Sequence, residues 1–203
     1  MSQGIRKAAV ERNTRETKIK LSLALDGTGT GEIDTGIGFF DHMLELLKKH
    51  ALIDLSVKAK GDLEVDYHHT TEDVGIALGK GIAYALGASA DAMKGIRRYG
   101  NMILPMDEAL ILSAVDISGR AHLEFAAEIP AEKVGDFDTE LCEEFFEAFV
   151  REARITLHIK QLAGKNSHHI IEGIYKSVAR SLFEALSKDE RFLNDIPSTK
   201  GVI

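Results

Sequence analysis

The sequence predicts an α+β fold that is built from two similar halves. Two stretches with helical periodicity begin at the histidine pairs of residues 68–69 and 168–169, and their apolar positions match at an offset of 100 residues. Two stretches that alternate between apolar and polar residues, over 53–57 and 155–159, match at an offset of 102. A further amphipathic helix precedes each of these alternating stretches. A pseudo-twofold duplication, with helices grouped on one face of antiparallel strands, explains all three patterns.

In chain order, each half is expected to contain strands, a helix, a strand and a second helix. The elements of the first half are strands near 5–12 and 17–25, a helix over 40–47, a strand over 53–57 and a helix over 68–86. Those of the second half are strands near 109–117 and 120–128, a helix over 141–149, a strand over 155–159 and a helix over 168–186. No Pro/Gly-rich linker separates the halves. We therefore expect one domain, with halves at about 1–95 and 96–193 and a C-terminal tail over 194–203.

Composition and charge exclude several classes of partner. The net charge of −7 leaves no large basic surface for nucleic acid. No apolar run reaches the roughly 18 residues needed to span a bilayer, and the first residues lack the apolar core of a signal peptide. A single cysteine, Cys142, excludes an internal disulfide and favours a reducing compartment. We expect a cytoplasmic protein that binds neither nucleic acid nor membranes.

The two histidine pairs predict metal binding. Each pair is followed three residues later by a glutamate, which gives His68-His69 with Glu72 and, in the second half, His168-His169 with Glu172. Adjacent histidines on a helix point about 100° apart, so one pair can reach two different ions more readily than one. A single such motif can arise by chance, but packing alone does not require imidazoles and a carboxylate at the same register of both halves. Imidazole with carboxylate and no thiolate suits Mn, Fe, Co, Ni or Zn.

The duplication suggests one more ligand in each half. His42 begins the helix before the 53–57 strand, and the 102-residue offset places Glu144 at the corresponding position. A carboxylate at this position is a competent ligand for a hard ion such as Mn²⁺. The alternative is that Glu144 is a solvated residue among neighbouring glutamates.

The chain resembles imidazoleglycerol-phosphate dehydratases from about Arg12 to its C-terminus, in order and without large gaps. The resemblance rests on GIGFFDHMLELLKKHALIDLSVKAKGDLEVDYHHTTEDVGIALG, RRYG, MDEAL, DISGR, TLHIKQLAGKNSHHIIEGIYKSVARSL and PSTKG. It implies a helical layer between two four-stranded mixed sheets, with halves of the ribosomal S5 domain 2-like type. It also implies a 24-subunit shell with two Mn²⁺ per active site at subunit contacts.

The resemblance assigns roles to individual residues. The metal ligands that it implies are His42, His68, His69, Glu72, His168, His169 and Glu172. An eighth ligand is a histidine in many members, whereas this chain has Glu144, so either Glu144 binds the ion or the site has one protein ligand fewer. His122 and His158 match no ligand position and are expected to be an exposed residue and a strand residue, respectively.

The implied reaction is the dehydration of D-erythro-imidazole-glycerol phosphate to imidazole acetol-phosphate in histidine biosynthesis. The proton to be removed lies beside an imidazole and is weakly acidic, and two metal ions on the ring nitrogens would favour the imidazolate. Glu16, Glu72 and Glu172 are the candidate catalytic carboxylates, with Glu16 matching the family's acid/base residue. Asp107 and Glu108 are secondary acid/base candidates that we expect to be structural.

The phosphate and the rest of the substrate have their own implied contacts. The residues implied to bind phosphate are Arg98, Arg120, Lys176, Ser198 and Lys200; those implied to contact the remainder of the substrate are Glu16, His42, His68 and His168. Without the resemblance, each of the cations would be read as an ordinary surface residue. The tail that carries Ser198 and Lys200 is expected to fold over bound substrate and exclude water.

Two other functions are compatible with the histidine motifs alone. A metal-storing or metal-sensing oligomer would use them structurally, and a dinuclear metallohydrolase would use them to hydrolyse a phosphorylated substrate. An open coordination position and cations suited to phosphate favour an enzyme over storage. The absence of bridging carboxylates in the predicted ligand set disfavours hydrolysis.

Overall fold

The structure, a computed structural model, describes residues 6–87 and 92–200. Over these residues the elements are β1 (Lys7–Asn13), β2 (Thr17–Ala24), β3 (Ile33–Asp34), α1 (Gly38–Ala51), β4 (Asp54–Gly61), α2 (His68–Gly87), β5 (Tyr99–Met106), β6 (Ala109–Asp116), β7 (His122–Ala126), β8 (Lys133–Val134), β9 (Phe137–Asp138), α3 (Leu141–Ala153), β10 (Thr156–Ala163) and α4 (Ser167–Leu186). A short 3-10 helix follows at Glu190–Phe192. Across the described ranges, no helix is long and apolar enough to cross a membrane.

Two four-stranded mixed sheets have the same topology. The first sheet has the order β1-β2-β4-β3 and the second the order β5-β6-β10-β7. In each sheet two antiparallel pairings are followed by one parallel pairing at the edge. The repeated order, with α1 and α2 matched by α3 and α4, confirms the duplicated α+β fold that the sequence predicts.

The four helices form a layer between the two sheets. Helix α2 packs on β1 and β2, and helix α4 packs on β5 and β6. The remaining helices cross between halves, because α1 contacts α4 and α3 contacts α2. The layer's centre is aromatic, with the fully buried rings of Phe145, Phe146 and Tyr175 within 5.4 Å of one another, centroid to centroid. The two halves therefore share one continuous core.

The hairpins that open each half also repeat. An offset of 92 residues places β1 on β5 and β2 on β6, and it preserves the pairing register, since Lys7 opposite Ala24 becomes Tyr99 opposite Asp116. Strand β5 is not predicted from the sequence, because Gly100 and Pro105 interrupt its alternation. Pro105 has no N–H to donate, and β5 accommodates it as an edge strand.

The other predicted elements lie close to their expected positions. Strand β1 begins at Lys7, and residue 5, where the prediction starts, is outside the described residues, as are 1–4. The boundary expected near residues 95 and 96 follows the undescribed segment 88–91, and the tail expected over 194–203 is described only to residue 200. The division into halves and tail therefore stays a prediction.

Gly79 allows α2 and α3 to pack closely, and replacing it with alanine should destabilise the protein. A Cβ at Gly79 would lie 2.5 Å from the Phe149 carbonyl oxygen and 2.9 Å from the Ala153 nitrogen. Such overpacking costs about 1–3 kcal/mol of unfolding free energy, which corresponds to a melting temperature lower by about 2–4 °C per kcal/mol.

Gly87→Ala is the matched control, because Gly87 lies on the same helix and a Cβ there would meet no atom of the described residues within 4 Å. Alanine in place of glycine raises helix propensity by up to about 1 kcal/mol, so this variant should melt at the wild-type temperature or slightly above it. Thermal melts at equal protein concentration compare the two. Equal melting temperatures for both variants would contradict the close packing.

Candidate functional site

Two capped helices place the histidine pairs. The Asp66 carboxylate accepts a hydrogen bond from the His68 backbone N–H at 2.8 Å, and the Asn166 side chain accepts one from the His169 N–H at 3.2 Å. Asp66 and Asn166 are related by the same 100-residue offset as the histidines. Caps of this kind satisfy the unpaired N–H groups of the first helical turn. Both histidine pairs consequently lie in the first turn of their helices.

The two rings of each pair diverge. The rings of His68 and His69 are 6.2 Å apart with an interplanar angle of 89°, and those of His168 and His169 are 6.2 Å apart at 83°. Each pair therefore presents its two imidazoles to different surroundings.

One ring of the second pair joins His42 and Glu172. The Glu172 Oε2 atom lies 3.1 Å from His168 Nε2 and 3.5 Å from His42 Nε2. His42 is carried by α1 and the other two residues by α4, so the α1–α4 contact brings the group together. Over residues 6–87 and 92–200, these three are the only set of histidine, cysteine or acidic side chains whose ligand atoms all lie within 4.8 Å of one another.

The Glu172 carboxylate is held in its charged form. Burial of its side chain by itself raises its pKa, but hydrogen bonds and charge from Lys176, with the rings of His168 and His42, outweigh that effect and lower the pKa below the ordinary value. Lys176 Nζ lies 2.5 Å from Oε1, the oxygen that faces away from the two rings. Oε2 is thereby left directed at the imidazoles.

The chemistry of this group fits a divalent cation. Two imidazole nitrogens and one carboxylate oxygen are a normal donor set for such an ion, with bonds of about 2.0–2.2 Å. Ligand atoms within 4.8 Å of one another need only small side-chain movements to reach a common ion. Three protein donors leave further positions open for substrate or water.

The equivalent residues of the first half are less tightly grouped. His68 Nε2 lies 3.9 Å from Glu72 Oε2, and the other oxygen of Glu72 accepts a hydrogen bond from Arg151 of α3 at 3.2 Å. Glu144 is partly buried on the same helix, one turn after its start. The structure does not bring Glu144 into a three-residue group with His68 and Glu72. Its role as a ligand stays a prediction.

The second ring of each pair is oriented by a carboxylate. Asp62 contacts His69 Nδ1 at 3.0 Å, and Glu108 contacts His169 Nδ1 at 2.6 Å. These hydrogen bonds raise the pKa of both imidazoles. In return, His169 and the backbone N–H groups of residues 166 and 165 lower the pKa of Glu108 to about 2. Holding Nδ1 in this way leaves Nε2 as the nitrogen that can bind an ion, as in carboxylate–histidine–metal arrangements.

Glu16 lies in the turn between β1 and β2, with Oε1 at 3.9 Å from His69 Nε2. Hydrogen bonds of two threonines hold the turn in place. Thr14 Oγ1 accepts the backbone N–H groups of Glu16 and Thr17, and Thr17 Oγ1 donates to buried Asp73 at 2.5 Å. Arg12 completes the network with an ion pair to Asp73 at 2.6 Å. Since Asp73 follows Glu72 on α2, one helix holds both the candidate ligands and the turn that carries Glu16.

Asp107 and Glu108 occupy the corresponding turn between β5 and β6. The 92-residue offset places Glu16 on Glu108. The Glu108 carboxylate forms hydrogen bonds with His169 and with two backbone N–H groups, which is consistent with a structural role. Asp107 has a positive φ of 49° and lies 3.5 Å from His169 Nε2.

The residues implied to bind phosphate have different surroundings. Arg98 forms a two-point ion pair with Asp116 and donates to the Pro197 carbonyl oxygen at 2.9 Å, which ties down the C-terminal segment. Ser198 and Lys200 belong to that segment, and the Lys200 N–H donates to Ser198 Oγ. Arg120 is exposed, and its guanidinium donates to the Ser118 carbonyl oxygen. Lys176 alone among the five contacts the His42 group.

Several contributing residues are missed by the sequence analysis. Asp62, Asp73 and Arg151 act on candidate ligands or on the Glu16 turn without belonging to a recognisable motif. Extending the duplication upstream at the 92-residue offset would have paired Glu16 with Glu108. Asp62 and Asp73 have no acidic counterpart, because they correspond to Leu162 and Gly173 at the 100-residue offset. Arg151 corresponds to Lys49 at the 102-residue offset, but its contact with Glu72 depends on the packing of α3 on α2.

Comparison with known proteins identifies one family. The family model described as imidazoleglycerol-phosphate dehydratase matches residues 35–182. The imidazoleglycerol-phosphate dehydratase of Desulforamulus reducens is 55% identical over 198 residues, which are 98% of this chain and 98% of the relative. That of Acetivibrio thermocellus is 56% identical over 198 residues, covering 98% and 99% of the two chains.

Solved structures of the same enzyme have the same fold. The crystal structure of imidazoleglycerol-phosphate dehydratase from Staphylococcus aureus has a TM-score of 0.81 at 42% identity and covers 90% of this chain and 99% of its own. The Pyrococcus furiosus enzyme in complex with (S)-C348 has a TM-score of 0.80 at 35% identity, covering 96% and 100%.

Proposed function

The chain belongs to the imidazoleglycerol-phosphate dehydratase family and is a hydro-lyase, and we propose that it forms imidazole acetol-phosphate and water from D-erythro-imidazole-glycerol phosphate with two Mn²⁺ ions per active site. Dehydration of imidazoleglycerol phosphate in histidine biosynthesis is the activity of this family. The observation that carries the proposal is the group formed by His42, His168 and Glu172, with Lys176 beside it. The cytoplasmic location expected from the sequence stays a prediction.

Three residues of one chain would hold an ion, namely His42, His168 and Glu172. His68 and Glu72 offer a second partial set, while His69 and His169 have Nδ1 held by a carboxylate and would bind through Nε2 an ion shared with a neighbouring copy. Glu144 is a further candidate for the set that contains Glu72. An ion held there would supply Lewis acidity toward the imidazole of the substrate, which would make the neighbouring C–H more acidic.

The cations of the chain would position the phosphate. Lys176 lies one helical turn after Glu172 and supplies a point charge next to the candidate ion site. Arg98 holds the C-terminal segment that carries Ser198 and Lys200 through the Pro197 carbonyl, beside the C-terminal end of α4. The His42 group lies at the N-terminal end of α4, so these residues would serve the ion site of a neighbouring copy. With Arg120 they would bind the phosphate by charge-assisted hydrogen bonds. Closure of the segment would exclude water from the reacting carbons.

Glu16 is the proposed proton-transfer residue. It stands at the edge of the site, more than half of its side chain is exposed, and its carboxylate lies close to His69. An exposed carboxylate on an anchored turn can reach a substrate without first breaking a strong ion pair.

The direct test is turnover of imidazoleglycerol phosphate by metal-stripped protein with and without added Mn²⁺. We expect no imidazole acetol-phosphate without metal and restored formation with Mn²⁺. Two outcomes would contradict the proposal. Release of inorganic phosphate would indicate a metallohydrolase, and full metal occupancy without any product would indicate storage.

Removing metal should also dissociate the proposed 24-subunit shell. If His69 and His169 share ions with neighbouring copies, the binding free energy of the metal contributes to assembly. Size-exclusion chromatography with a chelator should show smaller oligomers, and added Mn²⁺ should restore the early elution. An elution volume that does not change when the metal content falls to zero would exclude bridging ions.

A further inference from the structure

Two exposed histidines lie side by side on the outer face of the second sheet. Strands β7 and β10 pair in parallel, with His122 opposite Thr156 and His158 opposite Glu124. Along β10, Leu157 and Ile159 point into the core, so His158 between them points outward. His122 and Glu124 are exposed on the same face of β7. This face is opposite to the one on which α4 packs.

The distance between the two rings is close to that of two imidazoles that bind the same ion. The ring centroids of His122 and His158 are 5.5 Å apart with an interplanar angle of 51°. An imidazole bound at about 2.0–2.1 Å has its centroid about 3.2 Å from the metal, so two imidazoles at a tetrahedral angle have centroids about 5 Å apart. His42 and His168 provide an internal comparison, because their centroids are 6.0 Å apart at 45°.

Both imidazoles are available to an ion. Over the described parts of the chain, the ring of neither His122 nor His158 takes part in a hydrogen bond or an ion pair. This distinguishes them from His69 and His169, whose Nδ1 atoms are held by carboxylates. Glu124 is directly opposite His158, and a rotation of its side chain would bring in its carboxylate as a third donor, with water completing the coordination.

We propose that His122 and His158 form a separate binding site for one late divalent transition-metal ion, of the class of Zn²⁺, Ni²⁺ or Cu²⁺. Imidazole donors favour these ions over Mg²⁺, Ca²⁺ and Mn²⁺. The site is independent of the proposed dehydratase function, because it shares no residue with the His42 group and lies on the other face of the sheet.

The test uses the Mn²⁺-loaded full chain, dialysed against increasing Zn²⁺, with total manganese plus zinc measured per chain. Exchange of zinc for manganese at the His42 group leaves this total unchanged, whereas filling a new site adds one equivalent. We expect one added equivalent for the wild type and none for His122→Gln or His158→Gln. Glu124→Gln should require several-fold more zinc to reach the same total.

His50→Gln is the matched control, because it removes one histidine outside the pair and should keep the added equivalent. The elution volume and the Mn²⁺-dependent turnover of the His122 and His158 variants should equal those of the wild type, which establishes that they fold. Anomalous scattering at the zinc edge should place the ion between residues 122 and 158. An equal gain of zinc in wild type and both variants, or no gain in the wild type, would overturn the proposal.

Discussion

Replacing Glu172 with glutamine is expected to remove one of the two metal ions and to lower turnover by at least about 100-fold. Loss of groups that merely orient a metal ligand already costs about 10–100-fold in affinity or activity, and Glu172 is a candidate ligand itself. Its Oε2 lies within 3.5 Å of both imidazoles, and the charge that glutamine removes is the one that Lys176 and the two rings stabilise. The amide also leaves the Lys176 ammonium without its carboxylate partner.

The measurement is metal content per chain together with turnover at saturating Mn²⁺. Glu11→Gln is the control, because Glu11 is an exposed glutamate whose contact is an ion pair with Lys20 at 3.4 Å. It should leave both quantities unchanged. A Glu172→Gln protein with wild-type metal content, folded by circular dichroism, would contradict the assignment of Glu172 as a ligand.

The sequence predicts the parts of the fold and site that depend on local periodicity. The apolar stripes of α2 and α4 and the alternation of β4 and β10 follow from spacing alone, and so does the divergence of adjacent histidines on a helix. The pairing of His42 with Glu172 does not follow from spacing. It depends on the crossed packing of α1 on α4, which the chain's periodicity does not encode.

Other features of the fold and the site cannot be predicted from the sequence, because they depend on contacts between residues that are distant along the chain. Asp62 meets His69, and Arg151 meets Glu72, only after β4, α2 and α3 have packed. Strand β5 escapes because edge strands tolerate Pro105 and Gly100, which break the pattern of a central strand. Whether a residue is apolar or polar predicts whether its side chain faces the core or the solvent. Which residue a charged side chain contacts depends on how the helices and strands are arranged in the fold.

Replacing Glu16 with glutamine is expected to lower turnover by about 100-fold or more while the metal content stays at the wild-type value. General acid–base catalysis contributes about 10²–10⁴-fold, and glutamine keeps the size of the side chain without its ability to exchange a proton. The turn should remain in place, because Thr14 Oγ1 binds backbone N–H groups and Thr17 Oγ1 binds Asp73. The effect should therefore appear in kcat rather than in KM.

Glu108→Gln is the matched control that the duplication supplies. Glu108 occupies the equivalent turn, but it orients His169 through Nδ1, and its loss should weaken metal binding by about 10–100-fold. The two equivalent variants should therefore give different results. Glu16→Gln should lose turnover and keep its metal, whereas Glu108→Gln should lose metal. Near-normal turnover of Glu16→Gln would exclude it as the essential proton-transfer residue. Loss of metal in that variant would instead make Glu16, through its contact with His69, a residue that supports the ion.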